Sequence, residues 1–163
     1  MNLSNIRIGN GYDVHRLVEG RKLILGGVDV PHSMGLDGHS DADALAHALC
    51  DALLGALGGG DIGAYFPDTD PKWKGISSLL LLKEVMRMCR EKGFKLANAD
   101  MVIVAQKPKL ALHLPEMKEN FASALDIETD HINIKATTTE NLGFAGREEG
   151  IAAYAVALLI KND

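Results

Sequence analysis

Cysteine is scarce. Cys50 and Cys89 are the only thiols in 163 residues, and neither belongs to a C-x-x-C pair. Both fall in predicted helices, so buried, reduced thiols in a reducing compartment are expected rather than a disulfide. Long apolar runs are missing too: no stretch of about 18 apolar residues is present to span a membrane. The first strand pattern starts by Ile6, which leaves no room for a secretory h-region, and no transit peptide is visible. A cytoplasmic, bacterial protein is the expectation. An excess of positive charge is also absent. With 17 Lys and Arg against 22 Asp and Glu, the net charge is −5, which argues against a general nucleic-acid binder but not against local basic clusters that hold phosphate. Neither an internal repeat, a low-complexity segment nor a linker is visible. At 47% hydrophobic and 24% charged, residues 1–163 read as one globular domain with a sizeable core.

What is present centres on His39-Ser40-Asp41-Ala42-Asp43-Ala44-Leu45-Ala46-His47, which follows a turn containing Gly35 and Gly38. The spacing of Leu45, Leu49, Leu53, Leu54 and Leu57 predicts a helix from about Ser40 to Leu57, capped by Ser40 or Asp41 and stopped by Gly58-Gly59-Gly60. Asp43, His47 and Asp51, at i, i+4 and i+8, share one helical face. Before it, Ile6–Val14 reads as a strand interrupted by Gly9 and Gly11, glycines that let another backbone or a ligand come close. Lys22–Leu25 and Val28–Val30 form a hairpin around Gly26-Gly27. After it, Asp61–Trp73 reads as a long loop, and Ser77 or Ser78 caps a helix to about Lys92. Ala99–Gln106 is a strand, central because Met101-Val102-Ile103-Val104 is apolar on both faces. A third helix starts at Pro115 and runs to Leu125. Ile132 and Ile134 alternate in a strand that ends in Ala136–Glu140, Gly143–Arg147 is a glycine-containing loop, and Ile151–Lys161 is a last apolar strand. The element order is βββαα-β-α-β-β. The fold class expected is α/β of the α+β type: a single mixed sheet with helices on one face and βαβ, ferredoxin-like elements.

Five constellations carry chemistry. Asp13 and His15 project from the same face of a strand, and His47 adds a third donor from the helix. Carboxylate and neutral imidazole suit Zn²⁺, and three protein ligands leave a position open for catalysis; hydrogen-bonded polar residues are the plainer reading. Asp51 would orient an imidazole from behind, or be a solvated helix charge. His39-Ser40 at a helix N-terminus favours an anion, or is an ordinary cap. Thr137-Thr138-Thr139-Glu140 offers hydroxyls and amides to phosphate and a carboxylate to a hard cation such as Mg²⁺, or reflects the β-propensity of Thr. Lys107-Pro108-Lys109 after a buried strand would neutralise a diphosphate or nucleotide, or be a solvated turn. Phe144 and Arg147 would meet a phosphate or a neighbouring subunit, with Glu148-Glu149 as a plain ion-pair alternative. Together these signals point to metal-assisted phosphate chemistry.

Five stretches, in order across essentially the whole chain, carry a more specific likeness. Gly11-Tyr12-Asp13-Val14-His15, His39–Asp43 through His47, Asp61-Ile62-Gly63, Phe66-Pro67-Asp68-Thr69-Asp70 and Lys135–Glu140 resemble the 2-C-methyl-D-erythritol 2,4-cyclodiphosphate synthase family. The resemblance implies a lyase of the non-mevalonate isoprenoid pathway. The 2-phosphate of 4-diphosphocytidyl-2-C-methyl-D-erythritol 2-phosphate attacks the β-phosphorus and CMP leaves. It implies Zn²⁺ on Asp13, His15 and His47, and a second divalent cation, Mg²⁺ or Mn²⁺, on Glu140. His39 and Thr138 would stabilise the transition state. Substrate contacts would extend over Asp13, Val14, His15, His39 and Ser40, over Asp61, Ile62 and Gly63, and over Phe66, Pro67, Asp68, Thr69 and Asp70. The cytidine pocket would be Ala105, Gln106, Lys107, Pro108, Lys109, Leu110 and Ala111. Thr137, Thr138, Thr139, Glu140, Phe144 and Arg147 would add phosphate-side contacts. The family is a homotrimer with active sites between subunits. Phe144, Arg147 and Glu149 resemble residues of a central cavity that holds an isoprenoid diphosphate in some members. The likeness is to the single-domain form, not to bifunctional fusions. Two other classes share these residues: a metal-dependent phosphohydrolase, and a non-catalytic nucleotide- or isoprenoid-diphosphate-binding trimer.

Overall fold

Glycine at alternate positions of the first strand decides how this molecule packs. The computed structural model describes residues 5–162. In it, β1 (Ile6–Glu19) turns Gly9, Gly11, Asp13, His15 and Leu17 to one face, where helix α1 (Ala44–Ala56) lies. A Cβ built on Gly11 would sit 1.9 Å from the carbonyl oxygen of Ala48, and one on Gly9 would sit 1.9 Å from that of Ala52. Helix and strand therefore touch backbone to backbone. Alanines on the helix side (Ala48, Ala52, Ala56) complete the close approach. The expectation that these strand glycines admit another backbone is met, and that backbone is α1.

Helix α1 is buried on almost every side; only His47 and Asp51, half-buried, and Gly55, exposed, reach solvent. It begins at Ala44, four residues later than the sequence suggests, and the cap is Asp43 rather than Ser40 or Asp41. The reason is tertiary. The hairpin β2 (Leu23–Leu25) and β3 (Val28–Val30) turns through Gly26 and Gly27, with φ of 55° and 72° as its two-residue turn requires. The fully buried Asp43 carboxylate accepts from Gly26 N at 3.0 Å, Gly27 N at 2.8 Å and Ala46 N at 3.1 Å. Burial and the neighbouring Asp41 push its carboxyl up to about 6, against the pull of those three amides.

The remaining elements are β4 (Met34–Leu36), α2 (Ile62–Tyr65), α3 (Ser78–Glu91), β5 (Phe94–Val104), α4 (Leu114–Leu125), β6 (Ile132–Thr137), α5 (Gly143–Gly146) and β7 (Gly150–Lys161). Five strands form one mixed sheet in the order β4-β1-β7-β5-β6, with only β5 and β6 parallel, and the β2–β3 hairpin is a separate two-stranded sheet. The expectation of a single sheet is corrected by that hairpin, and β4 is an unexpected edge strand. The β5–α4–β6 crossover supplies a βαβ element. β1 runs five residues beyond Val14, and β5 starts at Phe94, before Ala99. β5 lies between β7 and β6, so its predicted interior position holds.

Both cysteines are buried and free. No helix among the described residues is long and apolar enough to cross a membrane. The sheet face turned away from α1 is uncovered and apolar at its centre: Ile8, Tyr12, Val14, Tyr154 and Val156 are exposed there, with the paired Tyr12 and Tyr154 rings 4.8 Å apart.

The close approach makes a paired stability prediction. Gly11→Ala is expected to destabilise the fold by about 2 kcal/mol or more, because backbone must move. Gly55→Ala, whose Cβ would meet only Asn10 O at 3.7 Å, should be neutral or stabilising by up to about 1 kcal/mol. Urea unfolding midpoints of the two variants measure the contrast.

Candidate metal centre and adjoining pockets

Where the strand passes beyond its glycines, the gap to α1 opens and Asp13, His15 and His47 fill it. His15 Nε2 lies 2.9 Å from Asp13 Oδ2, His47 Nδ1 lies 3.1 Å from the same oxygen, and the two imidazole nitrogens are 3.2 Å apart. The edges of a tetrahedron around an ion bonded at 2.0–2.1 Å are roughly 3.3 Å, so this donor triangle has the size Zn²⁺ asks for. His15 Nδ1 lies 2.6 Å from Asp37 O. A carbonyl only accepts, so Nδ1 carries the proton and Nε2 is left with its lone pair toward the other two donors. Burial works to raise Asp13, but the imidazoles of His15 and His47 against it outweigh burial and hold the carboxyl at about 2, so it is ionised. Burial works to lower His15; the carboxylate of Asp13 beside it and the bond to the Asp37 carbonyl prevail, and its pKa is raised. Among the described residues this is the one cluster of three such donors able to hold a metal ion.

A cavity of about 220 Å³ opens from the triad and brings in Gly38, His39, Ser40, Ile62, Gly63, Phe66, Asp68, Trp73 and Leu81. His39 does not stand at a helix N-terminus: α1 starts at Ala44, and Asp43 takes the free amide of Ala46. The helix-end anion site expected for His39-Ser40 is therefore absent. His39 instead reaches across to Asp70, its Nε2 3.2 Å from the carbonyl oxygen. Asp51 is also reassigned. It touches no imidazole but accepts from Ile62 N at 2.8 Å, fixing the start of α2. Asp61 caps that helix through Ala64 N at 3.0 Å, and Asp70 caps a 3₁₀ turn, Pro71–Trp73, through Lys72 N at 2.9 Å. Between them Asp70 N donates to Pro67 O at 3.0 Å across Asp68 and Thr69, and Phe66 meets Trp73 edge to face at 5.0 Å. The expected loop is thus a chain of short capped turns.

A second cavity, about 210 Å³, is lined by Ala105, Gln106, Pro108, Lys109, Leu110, Ala111, Ala136, Thr137 and Thr138. Lys107 is not part of it; its ammonium pairs with Glu148 Oε1 at 3.0 Å. Gln106 Oε1 accepts from Asn141 N at 3.2 Å and so ties this loop to the turn after β6. Of the three threonine hydroxyls, Thr137 donates to Thr138 O at 3.1 Å and Thr139 to Leu142 O at 2.6 Å. Thr138 only accepts, from Glu140 N at 3.3 Å, and keeps its proton for a ligand among the described contacts. Glu140 is exposed, at a φ of 53° in that turn. Val14 is on the uncovered sheet face, away from the triad. Phe144, in α5, joins Val14, His15, Arg16, Glu149 and Gly150 around a further cavity of about 220 Å³. Arg147 is already paired with Glu149, Nε to Oε1 at 2.8 Å.

The sheet register relates the first two cavities. His15 faces Ile151, Val104 faces Ala152, and Thr137 faces Val104, so both lie at one end of the sheet. Three strand spacings, roughly 14 Å, separate β1 from β6. Trp73, Leu81 and Ser78, expected only as a loop end, an apolar helix residue and a helix cap, approach the triad from α3 and its preceding turn; nothing in their spacing marks them as site residues.

Fold and site define a class: an α+β domain with an Asp-His-His cluster able to hold a divalent metal at one end of a mixed sheet. The chain belongs to the YgbB family, whose model matches residues 6–160. It is 65% identical to the 2-C-methyl-D-erythritol 2,4-cyclodiphosphate synthase of Geotalea daltonii, over 94% of this chain and 90% of that one. It is 61% identical to the enzyme of the same name from Synechococcus elongatus, over 98% and 100%. The bifunctional IspDF from Campylobacter jejuni superposes with a TM-score of 0.93 at 50% identity; 97% of this chain covers 43% of that longer protein. A 2C-methyl-D-erythritol-2,4-cyclodiphosphate synthase in its CDP-bound form superposes at 0.86 and 43% identity, over 94% and 99%.

His47→Ala is expected to abolish binding of a divalent ion, read as zinc retained after dialysis, with the far-UV spectrum unchanged. Zinc content equal to that of the unaltered protein would remove His47 from the ligand set.

Proposed function

We propose that this chain is a phosphorus–oxygen lyase that closes 4-diphosphocytidyl-2-C-methyl-D-erythritol 2-phosphate to 2-C-methyl-D-erythritol 2,4-cyclodiphosphate and releases CMP, in the non-mevalonate route to isoprenoids. The observation that carries the reading is the preorganised Asp13/His15/His47 triad opening into one cavity, with a second cavity at the same end of the sheet. The high identity to synthases over nearly the whole chain, and the CDP-bound relative, support it.

The reaction is an internal displacement. An oxygen of the 2-phosphate attacks the β-phosphorus, the bond from that phosphorus to the CMP oxygen breaks, and no water takes part. The barrier is dominated by like charge and by placement of the two phosphates. Zn²⁺ on the triad and Mg²⁺ or Mn²⁺ near Glu140 would supply positive charge at the phosphates. His39 and the free hydroxyl proton of Thr138 donate to phosphate oxygens as charge builds on the leaving group. The turns from Asp61 to Gly63 and Phe66 to Asp70 position the methylerythritol end. Ala105 to Ala111 hold cytidine, with Lys109 on the diphosphate side. Folding the substrate into its ring-closing shape is worth at most about 7–11 kcal/mol in ideal cases.

The same reading includes a homotrimer with each active site between two subunits. The uncovered apolar sheet face supports it, as does the roughly 14 Å between half-sites within one chain, which a neighbouring chain's half-site would bridge. A bacterial, cytoplasmic setting fits the bacterial relatives and the two free cysteines.

Phosphorus NMR of the full chain with this substrate, Mg²⁺ and trace Zn²⁺ should show a cyclic diphosphate appearing with equimolar CMP. CMP with an open-chain bisphosphate would make water the nucleophile and the protein a hydrolase. No turnover by zinc-loaded protein would make it a binding protein. Within the synthase reading, Thr138→Ala should lower kcat about 10²-fold or more with KM little changed, as removal of a transition-state donor does. A rise in KM alone would place Thr138 in ground-state binding.

A further inference from the structure

His47 is held from behind by a buried hydroxyl. Ser78, the first residue of α3 and fully buried, sets its Oγ 2.8 Å from His47 Nε2. The same hydroxyl makes a close hydrogen bond to Asp41 Oδ1, and Ser78 N donates to Asp41 Oδ2 at 3.0 Å. Proton counting gives the direction of this chain. An ionised carboxylate only accepts, and a serine has a single O–H proton. With that proton given to Asp41, Ser78 Oγ can only accept from His47, so Nε2 carries the imidazole proton. Ser40 Oγ is the more distant neighbour of Nε2 at 3.2 Å; it accepts from Ala42 N at 3.1 Å, and its own proton has Ser78 Oγ, 3.4 Å away, as an acceptor once the Ser78 proton is given to Asp41. A proton on Nε2 leaves the lone pair on Nδ1, the atom that faces Asp13 Oδ2 at 3.1 Å and His15 Nε2 at 3.2 Å.

We propose that Ser78 and Asp41 are positioning residues of the metal centre, a relay from Asp41 through Ser78 to His47 that fixes the His47 tautomer and aims Nδ1 at the ion. The inference rests on the reading of Asp13, His15 and His47 as divalent-metal ligands. A metal-bound histidine ordinarily gives its other N–H to a carboxylate, carbonyl or water, which orients the ring and raises its basicity. Here a serine stands between the imidazole and the carboxylate. His15 uses the direct form, donating to the Asp37 carbonyl. The backbone keeps the relay in place: Asp41 N donates to Ile76 O at 3.0 Å and Gly75 N to His39 O at 2.8 Å, stitching the start of α3 to the segment that leads into α1. The turns from Asp61 to Trp73 end at this stitch, so the wall of the first cavity and the third metal ligand share one anchor.

The test uses zinc as the probe and the full chain. Ser78→Ala should weaken zinc binding about 10–100-fold in chelator competition. Ser77→Ala, which removes a side chain making no capping bond, should leave zinc affinity as it was. Imidazole nitrogen NMR of the metal-free protein at about pH 8, above the ordinary imidazole range, should find the His47 proton on Nε2, and Ser78→Ala should move it toward Nδ1. A His47 proton on Nδ1 in the unaltered protein overturns the relay. So does a Ser78→Ala zinc affinity within about twofold of the unaltered protein, against the loss expected for an orienting partner. The tautomer of the unaltered protein needs no variant, so an unfolded Ser78→Ala does not block the decision. Failure of the unaltered protein to bind zinc would overturn the metal reading itself, and the tautomer still decides the relay.

Discussion

Everything in this molecule depends on one backbone contact, that of α1 against the glycines of β1. Gly9 and Gly11 let the carbonyls of Ala52 and Ala48 come to within a distance no side chain allows. One residue before Ala48, that contact delivers His47 to the strand positions two and four residues beyond Gly11. Glycine weakens a strand by its freedom in the unfolded chain and by packing nothing. β1 tolerates two because from Ile6 to Arg16 it pairs with β7, the middle strand of the sheet. The site is thus set by this close approach in the core, not by the loops around it.

The near-complete burial of α1 follows from the same contact. A helix pressed between sheet and α3 has no room for charge except along one stripe, and His47, Asp51 and Gly55 occupy it. Each polar side chain there has a partner that matters: His47 completes the triad, and Asp51 starts α2 through Ile62 N. The two carboxylates before the helix divide their work by direction. Asp43 points inward and bolts the hairpin to the helix start, while Asp41 points toward α3 and Ser78. Buried polar groups are tolerable only when each finds its hydrogen bonds, and Asp43 finds three.

The sequence was most legible where chemistry and local spacing coincide. Asp13 and His15 are adjacent on one strand face, and His47 follows a helical period, so the donor set could be assembled without knowing the fold. The close approach at Gly9 and Gly11, the hairpin at Gly26-Gly27 and the interior position of β5 were readable for the same reason. What stayed hidden depends on partners distant in the chain. Ser40, Asp41 and Asp43 are all good caps by type, and the choice of Asp43 was made by the Gly26 and Gly27 amides, which no local pattern reveals. Asp51 lies one turn past His47, as an imidazole-orienting carboxylate would, yet the amide of Ile62 claims it. Ser78 looks like one of two equivalent helix-start serines, and only its neighbour Asp41 and the ring of His47 distinguish it from Ser77.

The proposed chemistry also explains why the phosphate-side residues sit on strands so far from β1. Bringing two phosphates of one substrate together requires positive charge and donors from more than one direction, because donors on a single wall leave the far oxygens facing water. Within one chain the triad and Thr138 are separated by the width of β7 and β5, and the sheet between them cannot fold back on itself. A neighbouring copy, laid against the uncovered face of Tyr12, Val14, Tyr154 and Val156, would bring its own β6 end toward the triad while burying apolar surface that a lone chain leaves in water. On this reading, the rigidity that the β1–α1 contact gives the metal half-site is what allows the other half to come from a second chain. A donor triangle already fixed by Asp37 and Ser78 needs no adjustment when the partner wall arrives, so assembly is free to set only the distance between the two halves.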